Sequence, residues 1–393
     1  MKKSISSIVL FSAIISAEAA HAQSSVSLYG IIDEGLSYTS NSGGHSLYSL
    51  QSSVMQSSRW GLRGTEDLGG GVKTIFVLES GYDPSTGKLG QGGLLFGRQA
   101  YVGLGNQVGT VTLGRQYDSV VDFLGPLAAS NQWAGAIADH AGDIDNFNNT
   151  YRTNNSVKFS SVPFAGLRFS ALYSFGGIAG DASRNQVFSG GAGYTGGPLT
   201  LGIGYLNVRN PNVSFFGNST SGTASPTTAN ISSPIYKGFA SAHTYQVIGA
   251  GGAYTFGKAT LGATYSWVAF SSLGDTSSGP IPGSVAAYTG SAHVNNVEVN
   301  FKYMLAPTWL IGVAYNYTNV SAVAGKDGAK YNQIDAGIDY FLSKRTDVYM
   351  IGVYQKASGI NSLGAPAVAA INLATASTSN RQLLGRVGVR HKF

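Results

Sequence analysis

The chain has 393 residues, with 54 Gly, 22 Tyr, 18 Phe, 11 Pro and no Cys. Charged residues make up 11% of it and the formal net charge is +6, against about 25% charged residues in a typical soluble domain. These values exclude a disulfide scaffold, a Cys-ligated zinc site and a Cys nucleophile. They argue against an ordinary soluble enzyme and against a solvated disordered chain, which carries more charge and fewer aromatics. A mean hydropathy of +0.04 is too low for a helical membrane protein.

Residues 1–22 read as a secretory signal peptide. Lys2 and Lys3 form the basic start, Ile8 to Ile15 the apolar core, and Ala20-His21-Ala22 the cleavage signal. The apolar run is too short for a membrane anchor, which needs about 18 residues. Residues 23–393 then form one domain. They contain no long apolar run but repeated segments of period-two alternation, the pattern of half-buried strands.

Sixteen strands are predicted near 26–38, 57–66, 71–80, 96–105, 109–117, 153–162, 166–175, 187–196, 198–208, 243–256, 259–270, 293–305, 308–318, 331–342, 346–356 and 381–393. In one of them Val297, Val299, Phe301 and Tyr303 alternate with Asn296, Glu298, Asn300 and Lys302. In the last, Val387, Val389, His391 and Phe393 alternate with Arg386, Gly388, Arg390 and Lys392. Short turns such as 106–109, 306–307 and 343–346 alternate with long loops near 39–56, 81–95, 118–152, 176–186, 209–242, 271–292, 319–330 and 357–380. A soluble sandwich would turn the apolar face inward. Charges in mid-strand on the polar face, aromatics near strand ends and the turn–loop asymmetry favour the opposite arrangement. That is an all-β, antiparallel transmembrane barrel with lipid outside and a polar lumen. Sixteen strands leave a water-filled channel where eight would pack shut.

Several runs carry the signature of a known family: Ser27-Leu28-Tyr29-Gly30, Ser58-Arg59-Trp60-Gly61-Leu62-Arg63-Gly64-Thr65-Glu66-Asp67-Leu68-Gly69, Phe96-Gly97-Arg98-Gln99-Ala100-Tyr101, Gly109-Thr110-Val111-Thr112-Leu113-Gly114-Arg115-Gln116-Tyr117 and the terminal Gly388-Val389-Arg390-His391-Lys392-Phe393. With these runs the chain, from Val26 to Phe393, resembles the Gram-negative general diffusion porins, the trimeric sixteen-stranded outer-membrane family, of the β-proteobacterial type. The resemblance implies a third loop (118–152) folded into the barrel as an eyelet. It implies eyelet roles for Arg59, Arg98 and Arg152, with Lys158, Arg115 and Asp122 as further candidates. It also implies that Phe393 is read by the outer-membrane assembly machinery, that loop 81–95 latches onto a neighbour, and that the chain assembles as a homotrimer in outer-membrane lipid.

Strand parity supports the arginines independently: Arg59 and Arg63 oppose Trp60 and Leu62, Arg98 opposes Tyr101, and Arg152 shares the face of Lys158. Gly30, Gly103 and Gly114 read as a flat outer face suited to subunit contact. The acidic side departs from the family, because Gly125-Pro126-Leu127-Ala128-Ala129-Ser130 stands where relatives carry eyelet carboxylates. Asp139, Asp143 and Asp145 follow without an assignable place.

The expected function is passive diffusion of small hydrophilic solutes and inorganic ions with a mild anion preference, because positive side chains in a narrow wet pore concentrate anions. The alternative is a substrate-specific channel for sugars or organic anions, for which Trp133 and Phe123 are the hints. Gly252-Ala253-Tyr254-Thr255-Phe256-Gly257-Lys258-Ala259 nearly spells a P-loop, but Ala259 replaces the magnesium-holding hydroxyl. The run Asp139 to Asn146 lacks EF-hand spacing and reads as a solvated loop before it reads as a calcium site. No cofactor, metal site, catalytic constellation or nucleic-acid partner is expected; the basic residues are spread over alternate strand positions and form no patch.

Overall fold

Alternation of apolar and polar residues builds a single antiparallel sheet that closes on itself. The computed structural model describes residues 25–393 apart from 215, 219–228, 279–280, 282–287, 323–324 and 326, so the leader expected over 1–22 lies outside the described residues. The strands are β1 (Ser25–Ser42), β2 (His45–Ser52), β3 (Arg59–Gly69), β4 (Val72–Gly81), β5 (Gln99–Gly105), β6 (Gly109–Gln116), β7 (Thr153–Ser161), β8 (Leu167–Ser174), β9 (Val187–Gly196), β10 (Leu199–Arg209), β11 (Thr244–Phe256), β12 (Ala259–Leu273), β13 (Gly290–Ala306), β14 (Trp309–Val320), β15 (Ala329–Phe341), β16 (Thr346–Gly359) and β17 (Arg381–Lys392). From β3 onward each strand pairs with the next in sequence, and β1 returns to β17 from Ile31↔Lys392 to Thr39↔Leu384. β2 pairs with the far half of β1 and β3 with its near half. These two segments therefore make one stave, and the barrel has sixteen.

The predicted faces are the observed ones. Val297, Val299, Ile334, Val387 and Val389 are exposed, while Asn296, Glu298, Gln333, Asp335 and Arg386 between them are buried. An apolar exterior over a polar interior is the inverse of a soluble core and suits a wall facing hydrocarbon. Gly252 to Phe256 end β11 and Ala259 opens β12, so the P-loop-like run is a strand turning into the next strand.

Two expectations fail. The loop expected over 39–56 is mostly a hairpin of β1 and β2 turning at Gly43 and Gly44, both with positive φ. The serine-rich β2 shows no clean alternation, with Leu47, Tyr48 and Leu50 all exposed. The proposed flat outer face also dissolves. Gly103 alternates with exposed Val102 and Leu104, and Gly114 follows exposed Leu113, so both belong to the inner face. Gly30 lies under the ring of Phe393, whose backbone it bonds in both directions at 3.1 Å.

The closing seam carries a buried polar lock. Arg386 of β17 donates from Nε to Tyr349 Oη (2.8 Å) and from Nη1 to Ser37 Oγ (3.1 Å), and Nη2 lies 3.5 Å from Asp33 Oδ1. Asp33 also accepts from Tyr349 and from the Gln56 backbone N–H. β1, β16 and β17 are thereby tied across the joint. Removing one partner of a buried pair strands the other and costs about 3 kcal/mol. Arg386→Met should therefore lower the guanidinium unfolding midpoint in detergent, and adding Asp33→Asn should restore most of the loss. An unchanged midpoint in the single variant would show that the lock contributes nothing.

Candidate functional site

The segment between β6 and β7 starts with Asp118, which caps the short helix α1 (Ser119–Phe123) by accepting from the N–H groups of Val120 and Val121. From there the chain runs along the polar face of the wall. The Ala129 N–H donates to Glu298 (2.8 Å), Asn300 donates to the Leu127 carbonyl (2.9 Å), Asn316 to that of Ala138 (3.2 Å) and Gln333 to that of Asp139 (3.2 Å). Strand amides and a carboxylate thus satisfy the irregular backbone, as a buried loop requires. Glycines make room for its large side chains: a Cβ on Gly191 would stand 2.7 Å from the Phe123 ring, and one on Gly312 would stand 2.3 Å from that of Trp133. Trp133 is fully packed and Phe123 lies on the wall, so neither forms the aromatic slide that a sugar channel wants.

Opposite this anchored side, three of the expected arginines meet. Arg59 opens β3, Arg98 immediately precedes β5 and Arg152 immediately precedes β7. Together with Glu79 and Tyr117 they line a cavity of about 250 Å³. Val121, Asn131 and Asn148 of the β6–β7 segment face them across it. Glu79 gathers the wall. It accepts from Arg98 Nε (2.7 Å), Tyr117 Oη (3.1 Å) and Tyr29 Oη (3.0 Å), with Arg59 Nε at 3.6 Å. Arg98 Nη2 donates to Tyr117 Oη at 2.9 Å, and the Arg152 guanidinium lies 5.9 Å from the centre of the Tyr117 ring. Arg98 Nη1 and Arg152 Nε are buried donors with no hydrogen-bond partner among the described residues.

The other candidates lie apart from this cavity. Lys158 pairs with Asp122 at 2.5 Å and donates to the Tyr117 carbonyl at 2.8 Å. Arg115 is spent on structure, donating to the carbonyls of Gly97 (2.8 Å) and Gly217 (2.7 Å) and to Asn154 and Asn218. The parity argument for Arg98 fails. Gln99 pairs across from Glu79 and Tyr101 from Val77, which puts Gln99 and Tyr101 on the inner face. Arg98 reaches inward because it sits in the turn, outside the strand period. Glu79 was missed: inner Ile75 and Val77 and outer Phe76 and Leu78 make β4 apolar on both faces, so no alternation marks the carboxylate.

Asp139, Asp143 and Asp145 are buried and not solvated, and none lines the arginine cavity. Asp139 accepts from Asn148 and Asn372, Asp143 from the N–H groups of Asn148 and Thr150, and Asp145 from Ser266. His140 Nδ1 lies 2.6 Å from Asp145, and Nε2 lies 3.5 Å from Glu298. No group of three or more potential metal ligands occurs among the described residues.

Residues 7–359 match the Gram-negative porin family. The chain belongs to that family. An outer membrane porin protein of Bordetella pertussis is 29% identical to this porin over the full length of both chains. Outer membrane porin protein 32 of Delftia acidovorans is 28% identical, again over both full lengths. The solved structure of an anion-selective porin from Comamonas acidovorans superposes with a TM-score of 0.71 at 25% identity, covering 94% of this chain and all of the other. The porin is accordingly an outer-membrane protein that crosses the bilayer with strands.

The buried acids make the β6–β7 segment pH-sensitive. Burial alone would lower His140, but the charge and hydrogen bond of Asp145 outweigh it and hold the imidazole well above its ordinary value. Burial, reinforced by Asp145, pushes Asp143 up to about 7. A group raised on folding stabilises fully below its unfolded pKa and loses that contribution as pH climbs through the folded one. Asp143 therefore weakens its share between about pH 4 and 7, and His140 weakens its share above about pH 6.5. Asp145, which His140 holds low against its own burial, acts in the opposite sense and loses its share only in strong acid. Amide-exchange protection over 139–151, corrected for the intrinsic rate, should fall as pH rises from about 5 to 9. His140→Gln should flatten the alkaline part of that fall, whereas protection indifferent to pH would remove the network from the account.

Proposed function

We propose that this porin is a passive outer-membrane channel for small hydrophilic solutes and inorganic ions, with a mild preference for anions. In this reading the β6–β7 segment narrows the lumen, and the arginine cavity is the wet face of the constriction. The observation that carries it is the charge imbalance at that cavity: Arg59, Arg98 and Arg152 share a single carboxylate, Glu79. Guanidinium groups stay charged even beside one another. Screening over about 8 Å at physiological salt confines their effect to a narrow passage. The acids of the segment, buried behind it, offer little counter-field. Similarity to a porin described as anion-selective supports the same sign. No step of this function requires catalysis, and we place no enzymatic activity in the barrel. Lys158, Asp122 and Arg115 act as anchors of the constriction and not as its lining.

Assembly as a homotrimer belongs to the same proposal, with Phe393 as the signal for the assembly machinery. Its support in the fold is Glu34, a carboxylate on the outer side of β1, opposite Ser52 of β2 and exposed Val389 of β17. Ser85, in the connection after β4, reaches over the wall and donates to it at 2.6 Å. A charge in the lipid-facing band is costly, and cover by a neighbouring subunit beside Ser85 removes that cost. The sugar-channel alternative loses its aromatic hints to packing. An organic-anion channel would use the same arginines.

In planar bilayers under a tenfold potassium chloride gradient, the wild type should give an anion-selective reversal potential. Glu79→Gln should raise the anion-to-cation permeability ratio and Arg152→Gln should lower it, each by roughly twofold. A cation-selective wild type, or shifts of the opposite sign, would sink the arginine reading.

A further inference from the structure

We propose that Arg115 is a positioning residue for ion selectivity, fixing the places of Arg98 and Arg152 without lining their cavity itself. This role rests on the arginine reading of the constriction. On β6 the two-residue period puts position 115 with exposed Val111 and Leu113, on the lipid side, yet Arg115 is only 7% exposed. The pairing of β6 with β7 shifts between Gly114 and Gln116, and Gly114 takes a φ of +139°. Such a bulge re-aims a side chain, and here it turns Arg115 into the connections between strands. No acidic side chain pairs with Arg115 among the described residues. A buried cation without a carboxylate is costly, so neutral acceptors must answer it. Nε donates to the Gly97 carbonyl (2.8 Å), Nη1 to the Gly217 carbonyl (2.7 Å) and to Asn154 Oδ1, and Nη2 to Asn218 Oδ1 (3.2 Å).

Two of these acceptors lie one step from a cavity arginine. The Gly97 carbonyl belongs to the peptide that joins Gly97 to Arg98, whose N–H donates to the Glu79 carbonyl at 3.1 Å. Gly217, in the connection between β10 and β11, donates its N–H to the Arg152 carbonyl at 2.8 Å. Its neighbour Phe216 bridges Thr153 in antiparallel pairing and sets its ring 4.9 Å from that of Tyr151, so the same connection holds both neighbours of Arg152. One guanidinium thereby ties the backbone beside Arg98 to the backbone of Arg152. These are the arginines whose Nη1 and Nε, respectively, have no partner among the described residues. The field on a passing ion falls with distance and is screened within about 8 Å, so selectivity depends on where these two charges stand. A lysine at 115 would keep the charge but offer its donors from a single nitrogen. It could not span acceptors that a planar fork serves from three.

The test measures the anion-to-cation permeability ratio of the refolded mature chain in planar bilayers under a potassium chloride gradient. Arg115→Lys and Arg115→Gln should each lower the ratio roughly 1.5-fold. In a chain already carrying Arg98→Gln and Arg152→Gln, Arg115→Lys should change it no further, because the residue acts through those two. Asn154→Ala with Asn218→Ala leaves Arg115 in place, removes two of its acceptors and should also lower the ratio, which keeps the test decisive where chains altered at 115 refold poorly. A wild-type ratio in Arg115→Lys beside a lowered one in Arg115→Gln overturns the proposal, because charge alone is then the cause. So does an Arg115→Lys effect that persists without the two cavity arginines, or a ratio unmoved in both the lysine and the double-alanine chains. A ratio that falls with Arg98→Gln and Arg152→Gln but not with Arg115→Lys overturns the positioning role and leaves the arginine reading standing. A ratio unmoved by the two glutamines overturns both.

Discussion

Hydrocarbon accepts no hydrogen bonds, so a chain that crosses it as strands must satisfy every backbone N–H and C=O within its own sheet, and an open edge is untenable. The joint between β1 and β17 is therefore the constraint on which the rest depends. β1 has 18 residues and must serve β17 on one side and both β2 and β3 on the other. The last residue, Phe393, completes the seam by exchanging backbone bonds with Gly30. The buried lock of Asp33, Tyr349 and Arg386 lies in the same joint, and its members come from opposite ends of the chain. Closure and a unique register are thus specified together, by groups whose desolvation would be costly in any other pairing.

Closing sixteen staves creates a second problem, because a barrel of that size has more interior than its own side chains can fill. The inner wall answers it unevenly. From β9 to β15 it offers glycine gaps, strand amides and Glu298 to the segment that follows β6, which is held there by its backbone as much as by its side chains. Val120, Leu124 and Phe147 of that segment add a buried apolar cluster shared with Tyr236, Val268 and Phe270. From β3 to β7 the wall presents Arg59, Arg98 and Arg152 instead. Anchoring on one side and charge on the other are separate tasks given to separate strands.

The strands and their faces were legible because lipid outside and polar groups inside impose a period of two, as in Val297 and Val299 against Asn296 and Glu298. The period tells nothing where it does not apply. Arg98 lies in a turn, so its inward direction comes from Glu79 and Tyr117 and not from parity. Gly103 and Gly114 have no side chain to read, and their neighbours Val102, Leu104 and Leu113 decide the face. In β2 Leu47, Tyr48 and Leu50 are all exposed, so alternation is lost there. Asp139, Asp143 and Asp145 look solvated in sequence because the groups that bury them, among them Ser266, Asn296 and Asn372, lie more than a hundred residues away.

The same separation bears on electrostatics. In sequence the aspartates of 139–145 have no assignable place relative to the arginines. In the fold they are buried, Asp145 paired with His140 and Asp139 and Asp143 accepting from amide N–H groups. The titratable groups that line the cavity are three guanidiniums, one carboxylate and one phenol. Glu79 and Tyr117 take the Nε and Nη2 of Arg98 and leave its Nη1 without a partner among the described residues, where Arg152 has a backbone carbonyl, at 3.2 Å, and the face of Tyr117. A site so arranged attracts an anion by excess charge without enclosing it in a full set of matched donors. Attraction of that kind raises the local concentration while leaving departure easy, and conduction needs both.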